Sequence, residues 1–512
     1  MKSLVLTLGH NSSAILVEDG IILAGYEEER LSGIKSDSAF PIRAIMRLQE
    51  LYQLPKTINI CVSHWFLDGR LPDRNKYWDS DYLHTQFPNA ELLSLDRKNF
   101  THHDAHMESA EVFAGDDFPQ DHHVFVVDGF GTQGECISVY HKVSGCEPTL
   151  IHRVHGFHKS VGLLYQYATD YCGMKMHQDE WKMLGYEVHV GGSEARRLDQ
   201  LVIESLPKID SSEIESDLGD LVQVKDDVFR ILQGVAEDYR PQIAYFVQRF
   251  TEQVLQRLFQ MILPTNLIVV GGCFYNVKVN SMLADMTPGK FCAMPLAGDQ
   301  GAGLGVYQHY FHDLKWPGHL FWGNRDRMSL GETRGFKSGD VDAVARELDL
   351  YNIVNVIRGP MEFGPRALCN TSTLALPPTT YNVDVINQMN GRDTVMPMAL
   401  VVTEDQANNL FEDVDKIHRS LEYMIVTRRF RPGKQISLEG GAHHYPLTGE
   451  WTCRPQITKD PFMLELLRKF GPLINTSANV HGQPIVWNQK QIEFMHEFQR
   501  KTFPVSTIFV ED

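Results

Sequence analysis

The stretch His102-His103-Asp104-Ala105-His106 carries the spacing best suited to chemistry in this chain. On a helix, side chains four apart share one face, so His102 and His106 can close on a single ion. The same spacing fits a solvated polar helix start, and 22 histidines give such a pair room to arise by chance. A third donor separates the two readings. Asp299 lies in Ala297-Gly298-Asp299-Gln300-Gly301-Ala302-Gly303, a stretch that reads as a loop too rich in glycine for plain packing. Two imidazoles and one carboxylate with open positions suit ferrous iron or a similar divalent ion that polarises a bound group.

The elements that must hold these residues follow from the apolar pattern. Leu4–Leu8 and Ser13–Val17 read as strands interrupted by His10-Asn11-Ser12. Asp19-Gly20 then predicts a hairpin into Ile21–Tyr26, because a two-residue turn of that kind needs positive φ at both positions. The phrase returns about 120 residues later as Val124–Val127, Asp128-Gly129-Phe130-Gly131 and Glu135–His141, with a further turn at Ser144-Gly145. Such a repeat is expected of the ATPase fold shared by actin, hexokinase and the heat-shock chaperones, in which each half clamps phosphates with a turn.

Apolar residues recur at helical spacing from Tyr239 to Ile262, and Pro264 closes that helix. Leu267–Val270 reads as a buried strand ending in Gly271-Gly272, where a backbone can approach a ligand closely. Periodicity is lost around Asp313–Gly339, which places the domain boundary there. A helix over Asp340–Leu348 and a strand over Ile353–Ile357 open the second domain.

With 512 residues the chain calls for two or three domains. A formal charge of −17 disfavours a nucleic-acid partner, and no apolar run of about 18 residues is present to span a bilayer. Eight scattered cysteines with no CxxC pair suit a reducing compartment, and the N-terminus reads as a first strand and not a signal peptide. The expectation is a cytoplasmic protein without membrane contact.

Several strings, taken in order, resemble one family. Thr101–Ala110 is similar to the HHxxHxxSA motif of the ATP-dependent O-carbamoyltransferases that act on antibiotics and nodulation factors. Gly9–Pro41 resembles that family's N-terminal signature. Asp128-Gly129-Phe130-Gly131, Glu180–Gly185, Gly271-Gly272 with Asn276 and Asn280, and Gly298-Asp299 follow in the family's order. So do Met361–Leu368 and the stretch Ile474–Val486, the latter also similar to the TSANxSG motif of YrdC-type domains.

The resemblance implies an α/β protein of two parts. Residues 1–330 would form an actin-like ATPase domain related to the tRNA threonylcarbamoyl transferases, and residues 340–512 a YrdC-like α/β domain. It implies that carbamoyl phosphate and ATP, with magnesium, are joined into a carbamoyl adenylate in the second domain. The first domain would then pass the carbamoyl group to a hydroxyl of a small-molecule acceptor, and a homodimer is compatible with the resemblance. The metal at His102, His106 and Asp299, expected to be iron, would balance phosphate charge. The family places a catalytic histidine at His10, able to take the acceptor's proton or to hydrogen-bond the oxyanion, with Lys35 at the same mouth.

Asp128, Gly129, Lys182, Gly271, Gly272 and Asn276 are the expected nucleotide contacts of the first domain. In the second, Arg366, Arg392 and Arg454 match family arginines whose forks hold phosphate bidentately. Asn475, Ser477 and Asn479 supply short polar groups in a turn. The chain departs from the pattern at Pro360, Asn390 and Met396, where the family carries cations. Arg358, Arg428 and Arg429 are the candidates to compensate. The competing readings are a degenerate member that binds nucleotide without turnover, and a tRNA threonylcarbamoyl transferase or sugar kinase sharing only the first domain's fold.

Overall fold

The computed structural model describes residues 1–65, 78–96, 98–206, 223–234, 238–323, 336–392, 398–445 and 448–510. Its first sheet is built from β1 (Lys2–Thr7), β2 (Ser13–Glu18), β3 (Ile21–Glu27), β4 (Asn59–Trp65) and β5 (Glu91–Leu95), in the order β3-β2-β1-β4-β5. The first three strands are antiparallel, and β4 and β5 join parallel. The second sheet repeats that plan. It comprises β6 (His122–Val127), β7 (Glu135–Lys142), β8 (Thr149–His155), β9 (Leu267–Val270) and β10 (Phe291–Ala293), ordered β10-β9-β6-β7-β8. Again three strands are antiparallel and two are added in parallel. The repeat visible in the sequence is therefore a duplication of topology.

The hairpin turn behaves as its residues require. Asp19 has φ 49° and Gly20 φ 77°, so both central positions are left-handed. Leu4, Val5 and Leu6 are all fully buried, as befits a strand covered on both faces. The long helix runs Arg240–Ile262 and stops at Leu263, which turns left-handed ahead of Pro264.

Two helices lie against both sheets and against each other, His102–Ala114 and Asp299–Phe311. The second corrects the sequence reading. The glycine-rich run around Asp299 is not a loop but the first turns of a helix, and its glycines are there for contact. A Cβ on Gly305 would stand 1.8 Å from the carbonyl oxygen of Ala105, and one on Gly303 would stand 2.9 Å from a Val5 methyl. The helices therefore meet backbone to backbone.

The rest of the chain forms a seven-stranded mixed sheet from β11 (Phe336–Gly339), β12 (Ile353–Arg358), β13 (Thr371–Ala375), β14 (Ala399–Val402), β18 (Pro455–Ile457), β19 (Leu473–Ser477) and β20 (Ser506–Val510). Beside it stands a small sheet of β15 (Arg428–Arg429), β16 (His443–Tyr445) and β17 (Glu450–Cys453). Strand β11 falls in the stretch that shows no periodicity. It is a four-residue edge strand paired in parallel with β20, too short to leave a pattern. The expected helix runs Val341–Tyr351, capped by the Asp340 side chain.

Contacts between the first two sheets and this region are buried and specific. Asn280 donates to the Ile425 carbonyl at 2.8 Å, and the Phe363 amide donates to the Leu320 carbonyl at 2.7 Å. Among the described residues no helix is long and apolar enough to cross a membrane, and none of the eight cysteines is bridged.

Candidate active site

The first turn of each repeat points toward the same place. Between β1 and β2 the turn carries His10, flanked by Gly9 (φ 96°) and Asn11 (φ 62°). Between β6 and β7 it carries Asp128. The helix His102–Ala114 brings two imidazoles between them, and its start is fixed by several partners. Thr101 and Asp104 form a reciprocal capping box, the His102 amide donates to Thr132 Oγ1 at 3.0 Å, and the His103 amide donates to Glu135 at 2.8 Å. The alternative of a solvated polar helix start does not hold, for the helix start is buried: His102 is 7% exposed, His103 and His106 not at all.

His102 Nε2 and His106 Nε2 stand 3.1 Å apart. His102 Nε2 is 3.2 Å from Asp299 Oδ1 and 3.4 Å from Asp128 Oδ2, and His106 Nε2 is 3.7 Å and 3.6 Å from the same atoms. All four ligand atoms lie within 4.8 Å of one another. Burial disfavours charge on His102, yet hydrogen bonds to Asp128 and Asp299 overcome it and push its pKa up to about 10. Burial acts against both carboxylates as well, and the two imidazoles outweigh it, holding Asp128 and Asp299 well below the usual carboxylate range. A donor set of two imidazole nitrogens and two carboxylate oxygens converging on one point fits a divalent cation.

Asp128 is the member that sequence reasoning placed elsewhere, among the nucleotide contacts. The signal for it was the repeat: a turn equivalent to that of His10 must face the same cleft. Gly271 and Gly272 serve this aspartate. Gly271 (φ 105°) lies so close to β6 that a Cβ would be 2.3 Å from the Val127 carbonyl oxygen, and the Gly272 amide donates to Asp128 Oδ1 at 3.1 Å. Gly129 is held at the foot of the helix Val161–Tyr171, where the Ser160 hydroxyl donates to its carbonyl.

His10 stands at the open side, 43% exposed, with Nε2 4.0 Å from Asp299 Oδ2. Lys35 is half-buried. Desolvation lowers its pKa, Glu29 and Asp179 raise it, and Arg30 and Arg392 act in the lowering sense. Lys182 is buried and paired with Asp179 at 3.3 Å. Asn276 caps the helix Val277–Met286, accepting from the Lys278 and Val279 amides while its amide donates to Gln248 at 2.7 Å.

The second region contributes three half-buried guanidiniums, Arg366, Arg392 and Arg454, the last of which feels the other two. Burial lowers the pKa of Arg366, Arg392 and Arg454, and at Arg454 the other two add to it. A guanidinium keeps its proton regardless, so the strain appears as attraction for an anion. Arg366 Nε is buried without a hydrogen-bond partner, Arg392 donates to Thr476 Oγ1 at 3.1 Å, and among the described residues none of the three is ion-paired. Asn475 donates to the Ala367 carbonyl at 3.0 Å, bracing the loop that carries Arg366. The Ser477 hydroxyl donates to Asn479 Oδ1 at 2.7 Å, and Asn479 donates onward to the Gln483 carbonyl.

The arginine pocket and the histidine cluster are neighbours. Arg366 acts on Tyr275, and Tyr275 packs against Gly298, next to Asp299. Across the same gap Arg392 acts on Lys35. A buried network fixes the two sides. Arg30 donates to Glu27 at 3.1 Å and to the Gly364 carbonyl at 2.7 Å, the Gly364 amide donates back to Glu27 at 3.1 Å, and Glu29 pairs with Arg30.

The expected compensating arginines are committed elsewhere. Arg358 makes a bidentate pair with Asp460 at 2.6 and 2.7 Å, Arg428 pairs with Asp285 at 2.8 Å, and Arg429 is shared between Asp285 and Glu412. Asn390 is buried in a neutral network, accepting from Gln499 at 2.7 Å, and the Pro360 carbonyl accepts from Asn370. Met396 lies outside the described residues.

The fold is mixed α/β, with paired turns that face one cluster of charged groups, and comparison with known proteins gives its family. Residues 80–307 match the carbamoyltransferase N-terminus family and residues 345–510 the carbamoyltransferase C-terminus family, together well over half the chain. The chain belongs to the carbamoyltransferase family and is an enzyme of it. It is 25% identical to the nodulation protein NolNO of Sinorhizobium fredii, over 94% of this chain and 75% of that one. It is 23% identical to the 3'-hydroxymethylcephem-O-carbamoyltransferase of Streptomyces clavuligerus, over 93% and 92%. Among solved structures, component A of the (R)-2-hydroxyglutaryl-CoA dehydratase of Acidaminococcus fermentans matches 60% of this chain and 97% of its own, at 16% identity and a TM-score of 0.33.

Proposed function

We propose that this enzyme transfers a carbamoyl group from carbamoyl phosphate, by way of an ATP-derived carbamoyl adenylate, to a hydroxyl of a small-molecule acceptor. In this reading residues 1–330 form an actin-like carbamoyl-transfer domain and residues 340–512 a YrdC-like domain that makes the adenylate. The observation that carries it is the adjacency of two oppositely specified sites, an arginine pocket suited to phosphate and a histidine–carboxylate cluster suited to a cation.

Each residue then has a task. Arg366, Arg392 and Arg454 hold the phosphate oxygens of the donor, and Lys35, facing Arg392, extends the positive field toward the cluster. His102, His106, Asp128 and Asp299 would hold a divalent ion, iron in our assignment. Such an ion supplies charge that offsets the phosphates and orients the donor. His10, at the rim, either takes the acceptor's proton or donates to the carbonyl oxygen as charge develops there.

A second reading is favoured by one finding, the commitment of Arg358, Arg428 and Arg429 to carboxylates. With fewer free cations, the C-terminal region would bind a nucleotide without turning it over. Incubation with ATP, with and without carbamoyl phosphate, separates the two. ATP cleavage that depends on carbamoyl phosphate is the expected result, and nucleotide binding without cleavage would establish the second reading in its place.

A further inference from the structure

A second imidazole stands at the open side of the cluster, and none of the tasks above uses it. His177 packs its ring against His10 with centroids 4.6 Å apart. Its main chain is left-handed, φ 61°, in the loop that follows the helix Val161–Tyr171. That loop is fastened at both ends of the residue. The His177 amide donates to Glu180, its carbonyl accepts from the Ser36 hydroxyl at 3.2 Å, and the next side chain, Gln178, donates to the Lys35 carbonyl at 3.1 Å. A histidine held in this way, exposed to solvent and laid on the rim residue of the site, has no core to fill.

Its ring is also oriented. The Gln166 side-chain nitrogen, Nε2, lies 3.4 Å from His177 Nδ1, and Gln166 in turn lies beside Gly129, next to Asp128. The two ends of a glutamine amide are interchangeable by a half-turn. In the half-turned amide the oxygen faces the ring instead, and then Nδ1 keeps a proton and Nε2 carries the lone pair. On the face laid against its neighbours the ring is partly dehydrated, and this together with the nearby His10 lowers the pKa of His177. Phe130, two residues beyond Asp128, and Phe157 stand 48% and 55% exposed and packed edge to face on each other.

We infer that His177 is a catalytic base for the acceptor, taking the hydroxyl proton on Nε2 while His10 attends to the carbonyl side. This rests on the carbamoyl-transfer reading. The acceptor oxygen forms a bond to the carbamoyl carbon, and its proton passes to Nε2. The bond from that carbon to the phosphate oxygen of the mixed anhydride breaks, the oxygen leaving with the electron pair, and the proton then returns to solvent.

His177→Gly suits the left-handed backbone and leaves room for a free imidazole. Two probe nucleophiles report on it, both corrected for the enzyme-free rate with carbamoyl phosphate and ATP. Hydroxylamine captures an activated carbamoyl group without needing a base, and ethylene glycol offers a hydroxyl that needs one. The ratio of glycol to hydroxylamine carbamoylation should fall about 10²-fold in His177→Gly, and added imidazole should restore at least a tenth of it without affecting the parent enzyme. An unchanged ratio overturns the inference, and so does a parallel loss of both products that imidazole does not mend, since that marks a structural role. A parent enzyme that carbamoylates hydroxylamine but not the glycol also overturns it. A parent enzyme that carbamoylates neither refutes the transfer reading itself and this inference with it.

Discussion

The histidine cluster and the arginine pocket are built on opposite principles. In the cluster, two carboxylates face two imidazoles at 3.2 to 3.7 Å, and each carboxylate is stabilised by the imidazoles opposite it. In the pocket, three guanidiniums are half-buried, and Arg366 and Arg392 both make the charge on Arg454 more costly. Both sites state their partner by the sign of what would complete them. A cation satisfies the first. A polyanion satisfies the second, and it relieves a strain that the protein alone carries.

The sharpest way to break this comparison is to remove the cluster's nitrogens. A His102→Ala/His106→Ala variant should fall from about one divalent ion per chain to background in elemental analysis. Undiminished metal content would show that the four groups are merely a structural ion-pair network. The pocket makes a prediction of a different kind. Arg454→Met should raise KM for carbamoyl phosphate or ATP by about 10–100-fold, the worth of a hydrogen bond to a charged group. The same substitution removes one of three like charges, so the melting temperature should rise by about 2–4 °C, corresponding to about 1 kcal/mol. Lower thermal stability in this variant would mean that Arg454 is a structural residue and that the two regions are alike.

The smallest effect concerns the other face of the ligand helix. Burial, and then Glu147, Glu111 and Asp104, push the Glu108 carboxyl up to about 7 from an ordinary 4.5. The folded state therefore holds this proton more tightly than the unfolded chain. Its stability is fully present below about pH 4.5 and is lost as pH rises through 7. Glu108→Gln should remove that slope, adding on the order of 1–2 kcal/mol at pH 8 and little at pH 4, with metal content unchanged. Chemical denaturation at the two pH values measures it. A loss of metal would place Glu108 with the cluster after all.

What could be read from residue order was local. Asp19-Gly20 announced its own turn, and the stripe from Ile243 to Ile262 its helix, because each signal is complete within one element. His102 and His106 could be paired because four residues make one turn of a helix. Asp128 could not be added to them without knowing that two similar turns face one another. The glycines after Asp299 read as a loop because glycine's weak helix propensity is a local quantity, whereas the reason for them is a helix nearly 200 residues earlier in sequence. The clasp of Glu27 and Arg30 on Gly364 joins positions more than 330 apart, and no periodicity encodes that.

That clasp and the glycine seam differ in how they meet the passage of mutations. A salt bridge can drift, since a changed partner can be answered by a changed neighbour. The contact of Gly305 on the Ala105 carbonyl has no such freedom, for a Cβ there would lie 1.8 Å from an oxygen that every amino acid carries. His102 and His106 ride on one side of this contact and Asp299 on the other. The gap between them is gauged by the thickness of the polypeptide itself, the one dimension of a protein that substitution cannot revise.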